Sequence, residues 1–196
     1  MTKERLKSPR ARLFVALDLP DETRREIETW GERELSDPAL RPLPADSLHV
    51  TLVFLGYRPE KEIDEIAGVL ERAGSFPAQT IRLLDPVRRP ERGRARLYAL
   101  PIDSAGLVDL QADLEGGLAS AGLHEPEKRR FWPHLTVARV RPENRGSRRP
   151  RAVPRPPGPL PQGLLQPALG VRVSLYRSEL KPWGATYSPL AHIDLR

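Results

Sequence analysis

Apolar positions along this chain fall into short runs and stripes of two different periods. Arg12-Leu13-Phe14-Val15-Ala16-Leu17 is nearly continuous and is closed by Asp18-Leu19-Pro20, the pattern of a buried strand. Asp21 then offers a helix N-cap, and 22–35 reads as a charged helix whose apolar contacts are Ile27 and Trp30. Residues 48–55 predict a second strand, ended by Gly56, and 60–73 a second helix with Ile63, Ile66, Ala67 and Leu70 on one face. A third strand is expected over 79–87. The second half restarts in the same order. Arg96-Leu97-Tyr98-Ala99-Leu100-Pro101 echoes the first strand, a helix capped by Asp103 or Ser104 runs to about Ala121, and 131–140 reads as a strand. Strand, helix, strand in each half implies an internal repeat.

Two stretches fall outside that order. Residues 1–10 are polar and basic, as in a frayed terminus. Residues 141–168 hold many prolines and six arginines (Arg141, Arg145, Arg148, Arg149, Arg151 and Arg155), with Glu143 as their only acid. Proline at that density opposes both a helix and a central strand, so a solvated loop is expected in preference to a dedicated RNA-binding arm. Alternation resumes over 169–176, and a turn at Lys181-Pro182-Trp183-Gly184 leads to a last strand over 186–195.

Composition narrows the classes. A chain of 196 residues, 39% hydrophobic and 30% charged, is long enough for one domain or two intimately packed lobes. The absence of cysteine removes disulfides, thiolate metal sites and a thiol nucleophile. Leu13–Leu17 is too short to span a bilayer and lacks a signal-peptide layout, so a cytoplasmic protein without a membrane partner is expected. The net charge of +6 favours an anionic partner without identifying it.

The informative feature is a triplet that occurs twice. Leu48-His49-Val50-Thr51-Leu52 and Pro133-His134-Leu135-Thr136-Val137 both lie in segments that read as strands. Strand side chains alternate, so each segment presents one imidazole and one hydroxyl to the same face and its aliphatic neighbours to the other. One such triplet carries little weight. Two, in equivalent places of two half-repeats and among only four histidines, point to a shared surface. His124, in a charged loop, and His192, in the last strand, have no such setting. Two imidazoles at one cleft suit a reaction that needs an acid and a base in one turnover. Cyclic phosphodiester hydrolysis has that need, and Thr51 and Thr136 can donate to the non-bridging phosphate oxygens. Nothing in the pattern resembles a metal site: there is no His-x-His or Glu-x-x-His, and threonine is a poor zinc ligand.

With these residues the chain resembles the 2H phosphoesterase superfamily, specifically the bacterial and archaeal RNA 2',3'-cyclic phosphodiesterases once called 2'-5' RNA ligases. The resemblance runs from the opening strand through 48–56 and 131–139 to Tyr176-Arg177-Ser178-Glu179-Leu180 and Gly184-Ala185-Thr186-Tyr187. It implies an α+β fold in one bilobal domain: two antiparallel sheets with flanking helices, related by a pseudo-twofold axis around a central cleft. It also implies His49 as proton donor, His134 as proton acceptor, no cofactor, and a 2'-phosphomonoester product. The substrate implied is RNA with a 2',3'-cyclic phosphate end, with reverse 2'-5' ligation as a side activity; a monomer is expected. Arg139 matches a phosphate-contacting arginine of the family. Strict alternation, however, puts it opposite His134, and it reaches the site only where the strand twists or ends. Phe131 or Trp132 can stack on a base or anchor the core. A 2'-5' oligonucleotide or a small cyclic nucleotide would suit the same chemistry. A non-catalytic RNA- or nucleotide-binding module on the same scaffold is the alternative of another class; it would bind equally well without either histidine.

Overall fold

The computed structural model describes residues 9–181 and 184–196. Of the stretch 1–10 expected to fray, 1–8 lie outside these residues, and Arg10 instead begins the first strand; Pro182-Trp183 of the expected turn 181–184 also lie outside. In chain order the elements are β1 (Arg10–Asp18), α1 (Asp21–Glu34), β2 (Leu40–Pro42), β3 (His49–Pro59), α2 (Ile63–Leu70), β4 (Gln79–Leu83), β5 (Val87–Arg89), β6 (Leu97–Asp103), α3 (Ala105–Ser120), β7 (His134–Val140), β8 (Ala168–Gly170), β9 (Arg172–Lys181) and β10 (Gly184–Asp194).

The strands form an antiparallel sheet in the order β10-β9-β1-β3-β7-β6-β4-β8, with β2 on β7 and β5 on β6. β1 is flanked by β3 and β9 and covered on both faces, so Leu13, Phe14, Val15, Ala16 and Leu17 are all buried. That double coverage is why its sequence is a run rather than an alternation. The halves meet between β3 and β7 through one registered pair, Val50 opposite Leu135. α3 buries Leu107, Leu110, Leu114 and Leu118, an i, i+3, i+7, i+11 stripe, while α1 buries Ile27 and Trp30.

Several boundaries differ from expectation for local reasons. Pro20, not Asp21, is the N-cap of α1; Asp21 enters the first turn with Glu22, where negative charge suits the helix dipole. The 60–73 helix is α-helical only over α2, with 3-10 turns at Glu60–Glu62 and Glu71–Ser75. The 79–87 strand divides at Asp85-Pro86, and β4 and β5 both pair with β6. Pro86 can donate no ladder hydrogen bond, which fits a break there. β2 is not foreseen by the pattern, since three residues carry no period.

Residues 141–168 form no helix, as expected, but the part from Arg155 to Leu164 docks against the fold. Leu160 and Leu164 are buried. The backbone N–H groups of Arg155, Gly158 and Leu160 donate to Asp37, Glu34 and Asp85, and the Trp30 indole donates to the Pro159 carbonyl at 3.1 Å. Buried leucines and carboxylate acceptors convert a polar-looking loop into a strap across α1.

Candidate active site

The site starts from the Val50–Leu135 pair. With these two opposite each other in antiparallel sense, His49 lies on the side of Thr136 and Thr51 on the side of His134. Val50 and Leu135 point into the core, fully buried, and the four motif side chains remain half-buried on the other face. One backbone pair thus brings the two triplets together.

Arg139 joins them through a β-bulge. Along β7, Thr136 is opposite Ala99 but Ala138 is opposite Tyr98, so Val137 is an extra residue. Val137 and Ala138 are consequently both buried, and Arg139 returns to the face of Thr136. It sits opposite Arg41 of β2 and adds positive charge at both His49 and His134. β3 has the same irregularity three residues after its histidine: Thr51 is opposite Ala16 and Val53 opposite Val15, leaving Leu52 over. The residue brought back to the cleft in that half is Phe54, five after His49 as Arg139 is five after His134. Phe54 is 47% exposed. Alternation alone misses both devices; the signal is the pair of adjacent apolar residues, Leu52-Val53 and Val137-Ala138, where a polar position is due.

The histidines are held alike. Each has a backbone hydrogen bond to the residue two before it: His49 to Ser47, and His134 Nδ1 to the Trp132 carbonyl at 2.8 Å. An Nδ1–H donated to Trp132 leaves Nε2 of His134 as the free acceptor. The Trp132 ring stacks on His134 with centroids 4.1 Å apart, and the Arg89 guanidinium lies 4.1 Å over the same ring. Trp132 therefore braces His134 while lining a hollow with Thr51 and Phe54. Phe131 packs against the core. Phe14, 4.7 Å from the His49 ring, and Tyr187, edge-on at 5.1 Å, support the first histidine.

Burial is the main electrostatic influence on both. It lowers the His49 pKa from 6.5 to about 4, opposed by the Ser47 hydrogen bond and assisted by His134 and Arg139. His134 is lowered too, first by burial and then by Arg89 and Arg139. The cleft beside His49, about 320 Å³, is lined by Arg12, Arg41, Arg139 and Lys181 and, among the described residues, by no carboxylate, whereas the hollow beside His134 has Glu115 and Glu127 in its wall with Arg129 and Arg130. Among the described residues no three His, Asp or Glu side chains converge as metal ligands, and no helix is long and apolar enough to cross a membrane.

A repeated antiparallel scaffold that sets two His-x-Thr strands at one cleft is the α+β architecture of the 2H phosphoesterases, and solved structures match it over nearly the whole chain. The 2'-5' RNA ligase superfamily model matches residues 19–160, and the chain belongs to that family. The RNA 2',3'-cyclic phosphodiesterase of Thermus thermophilus is 31% identical over 191 residues, 94% of this chain and 90% of the relative. That of Escherichia coli is 34% identical over 134 residues, 65% of this chain and 71% of the relative. The crystal structure of E. coli LigT complexed with 3'-AMP superposes with a TM-score of 0.73 at 27% identity, covering 96% of this chain and 99% of that one.

Proposed function

We propose that this protein hydrolyses 2',3'-cyclic phosphate ends of RNA to 2'-phosphomonoesters by metal-free general acid–base catalysis. The observation that carries the reading is the Val50–Leu135 pairing, which sets two His-x-Thr strands side by side, with arginines in the wall of the hollow beside each histidine. The named activity of the T. thermophilus and E. coli relatives supports it.

Neutral His134, its Nδ1–H occupied by the Trp132 carbonyl, accepts the proton of the attacking water at Nε2. The water oxygen bonds to phosphorus as the bond from phosphorus to O3' breaks. His49 delivers a proton to O3', and the phosphate stays on O2'. Thr51, Thr136 and Arg139 donate to the non-bridging oxygens, and the exposed Phe54 ring offers a face to the base. A 5'-hydroxyl in place of water would give a 2'-5' linkage by the same steps. His49 is buried neutral in the free protein, so the anionic substrate itself must raise its pKa enough to make it an acid.

The test is hydrolysis of a short RNA ending in a 2',3'-cyclic phosphate, in EDTA, by wild type, His49→Ala and His134→Ala. Wild type yields a 2'-phosphate, and each variant loses two or more orders of magnitude. An inert wild type whose RNA affinity survives both substitutions identifies a binding module and defeats the reading.

A further inference from the structure

The basic cleft continues past its β2 edge. Arg41, which lines it from β2, also lines a second hollow of about 330 Å³ whose walls include Arg141, Asn144, Arg145 and Arg151. No carboxylate lines that hollow. The acid of this stretch, Glu143, is engaged by Arg94 at 2.6 Å and Arg149 at 3.5 Å.

The arginines sit on an organised segment. Arg151 N–H donates to the Arg141 carbonyl, Glu143 N–H to the Arg149 carbonyl, and Pro142 bridges Pro150, so 141–151 folds back on itself. Arg141 N–H is tied to the Ala39 carbonyl beside β2. The Arg141 and Arg151 Nε groups donate to the Leu40 and Pro142 carbonyls, at 3.0 and 3.1 Å. Each guanidinium is thus positioned through its inner nitrogen. Its terminal N–H groups are the ones suited to the fork geometry that phosphate oxygens accept. Arg145 is exposed at the same wall.

We propose that this hollow is a second phosphate subsite, which takes the phosphodiester joining the terminal nucleotide to the rest of a single-stranded RNA. The proposal rests on the cyclic-phosphate reading above and deepens it: the substrate is an oligonucleotide, not a free cyclic mononucleotide. An RNA whose cyclic end lies between His49 and His134 continues only from its 5' side. Arg41 is the side chain shared by the two hollows, and it lies opposite Arg139 in the β2–β7 register. From the His49 cleft through Arg41 to the second hollow, positive charge with no acid among the described lining residues suits a polyanion better than a single phosphate.

The test compares a 2',3'-cyclic mononucleotide with a tetranucleotide ending in the same cyclic nucleotide, in EDTA and at several salt concentrations. Wild type prefers the tetranucleotide in kcat/KM. Arg145→Glu/Arg151→Glu loses tenfold or more on the tetranucleotide and less than threefold on the mononucleotide, which also shows that the variant is folded. Its salt dependence on the tetranucleotide flattens by about 0.7 in log–log slope for each phosphate it no longer neutralises. Arg145→Lys/Arg151→Lys, which keeps the charge but not the fork, restores the salt dependence and recovers only part of the loss. Equal effects on both substrates, or none on the tetranucleotide, overturn the subsite. If wild type hydrolyses neither substrate, the cyclic-phosphate reading has failed on its own account. Fluorescence anisotropy of a labelled 3'-phosphorylated tetranucleotide then decides the subsite: weaker binding by the Glu double variant supports it, and unchanged binding overturns it.

Discussion

Occupation of the cleft by a phosphate should protonate His49. Free, the ring titrates at about 4 instead of 6.5 because it is buried and faces His134 and Arg139, so at pH 7 roughly one molecule in a thousand carries the proton. One negative charge roughly 5 Å from the ring at an effective dielectric near 20 contributes about 3.3 kcal/mol, or about 2.4 pK units. That nearly cancels the depression and returns the group to a value useful for an acid. The assay is the pH titration of the imidazole C–H resonances, with and without a saturating nucleoside 2'-monophosphate, assigned by the signal that disappears in His49→Gln. The His49 midpoint should rise from near 4 to above 6 on binding. Kinetically, kcat/KM, which reports the free protein, should peak below pH 6.5, and kcat at higher pH. A free midpoint at or above 6.5, or no movement with ligand, refutes the reasoning.

Two further outcomes follow from side chains already placed. Arg139→Ala removes a phosphate donor and a positive charge felt by both histidines, so kcat/KM should fall by about a hundredfold or more while its pH profile moves to the alkaline side; an unmoved profile would show that Arg139 does not face them. Leu160→Ala should cost about 2–4 kcal/mol in chemical denaturation by undoing the anchor of the strap over α1; stability within about 0.5 kcal/mol of wild type would mean the strap is held by its hydrogen bonds alone.

How far the sequence discloses this arrangement can be judged residue by residue. The strand runs, the amphipathic stripe of α3 and the faces of the two His-x-Thr triplets are legible because each depends on a short period and on burial of the residues between. Alternation sets Arg139 on the wrong face because a bulge is one residue out of phase, and its cause lies in the neighbouring strand, where Tyr98 and Ala99 pair across the extra Val137. Phe54 is hidden for the same reason. The strap is unreadable because its anchors, Leu160 and Leu164, are too few to make a pattern and its acceptors, Glu34, Asp37 and Asp85, lie far away in sequence.

The matched bulges have a consequence for how a doubled scaffold serves an undoubled ligand. A nucleotide has no twofold axis: one end is a flat heterocycle, the other an anion. Two copies of a strand that were alike throughout would offer both ends the same surface. Here the His and Thr of each motif coincide, the residue between them is aliphatic in both, and the slip that follows is the same. Divergence falls at the next outward-facing position, where one half carries the aromatic Phe54 and the other the cationic Arg139. The kink therefore acts as a socket, one in each half, into which unlike fittings can be set without disturbing the machinery beside it.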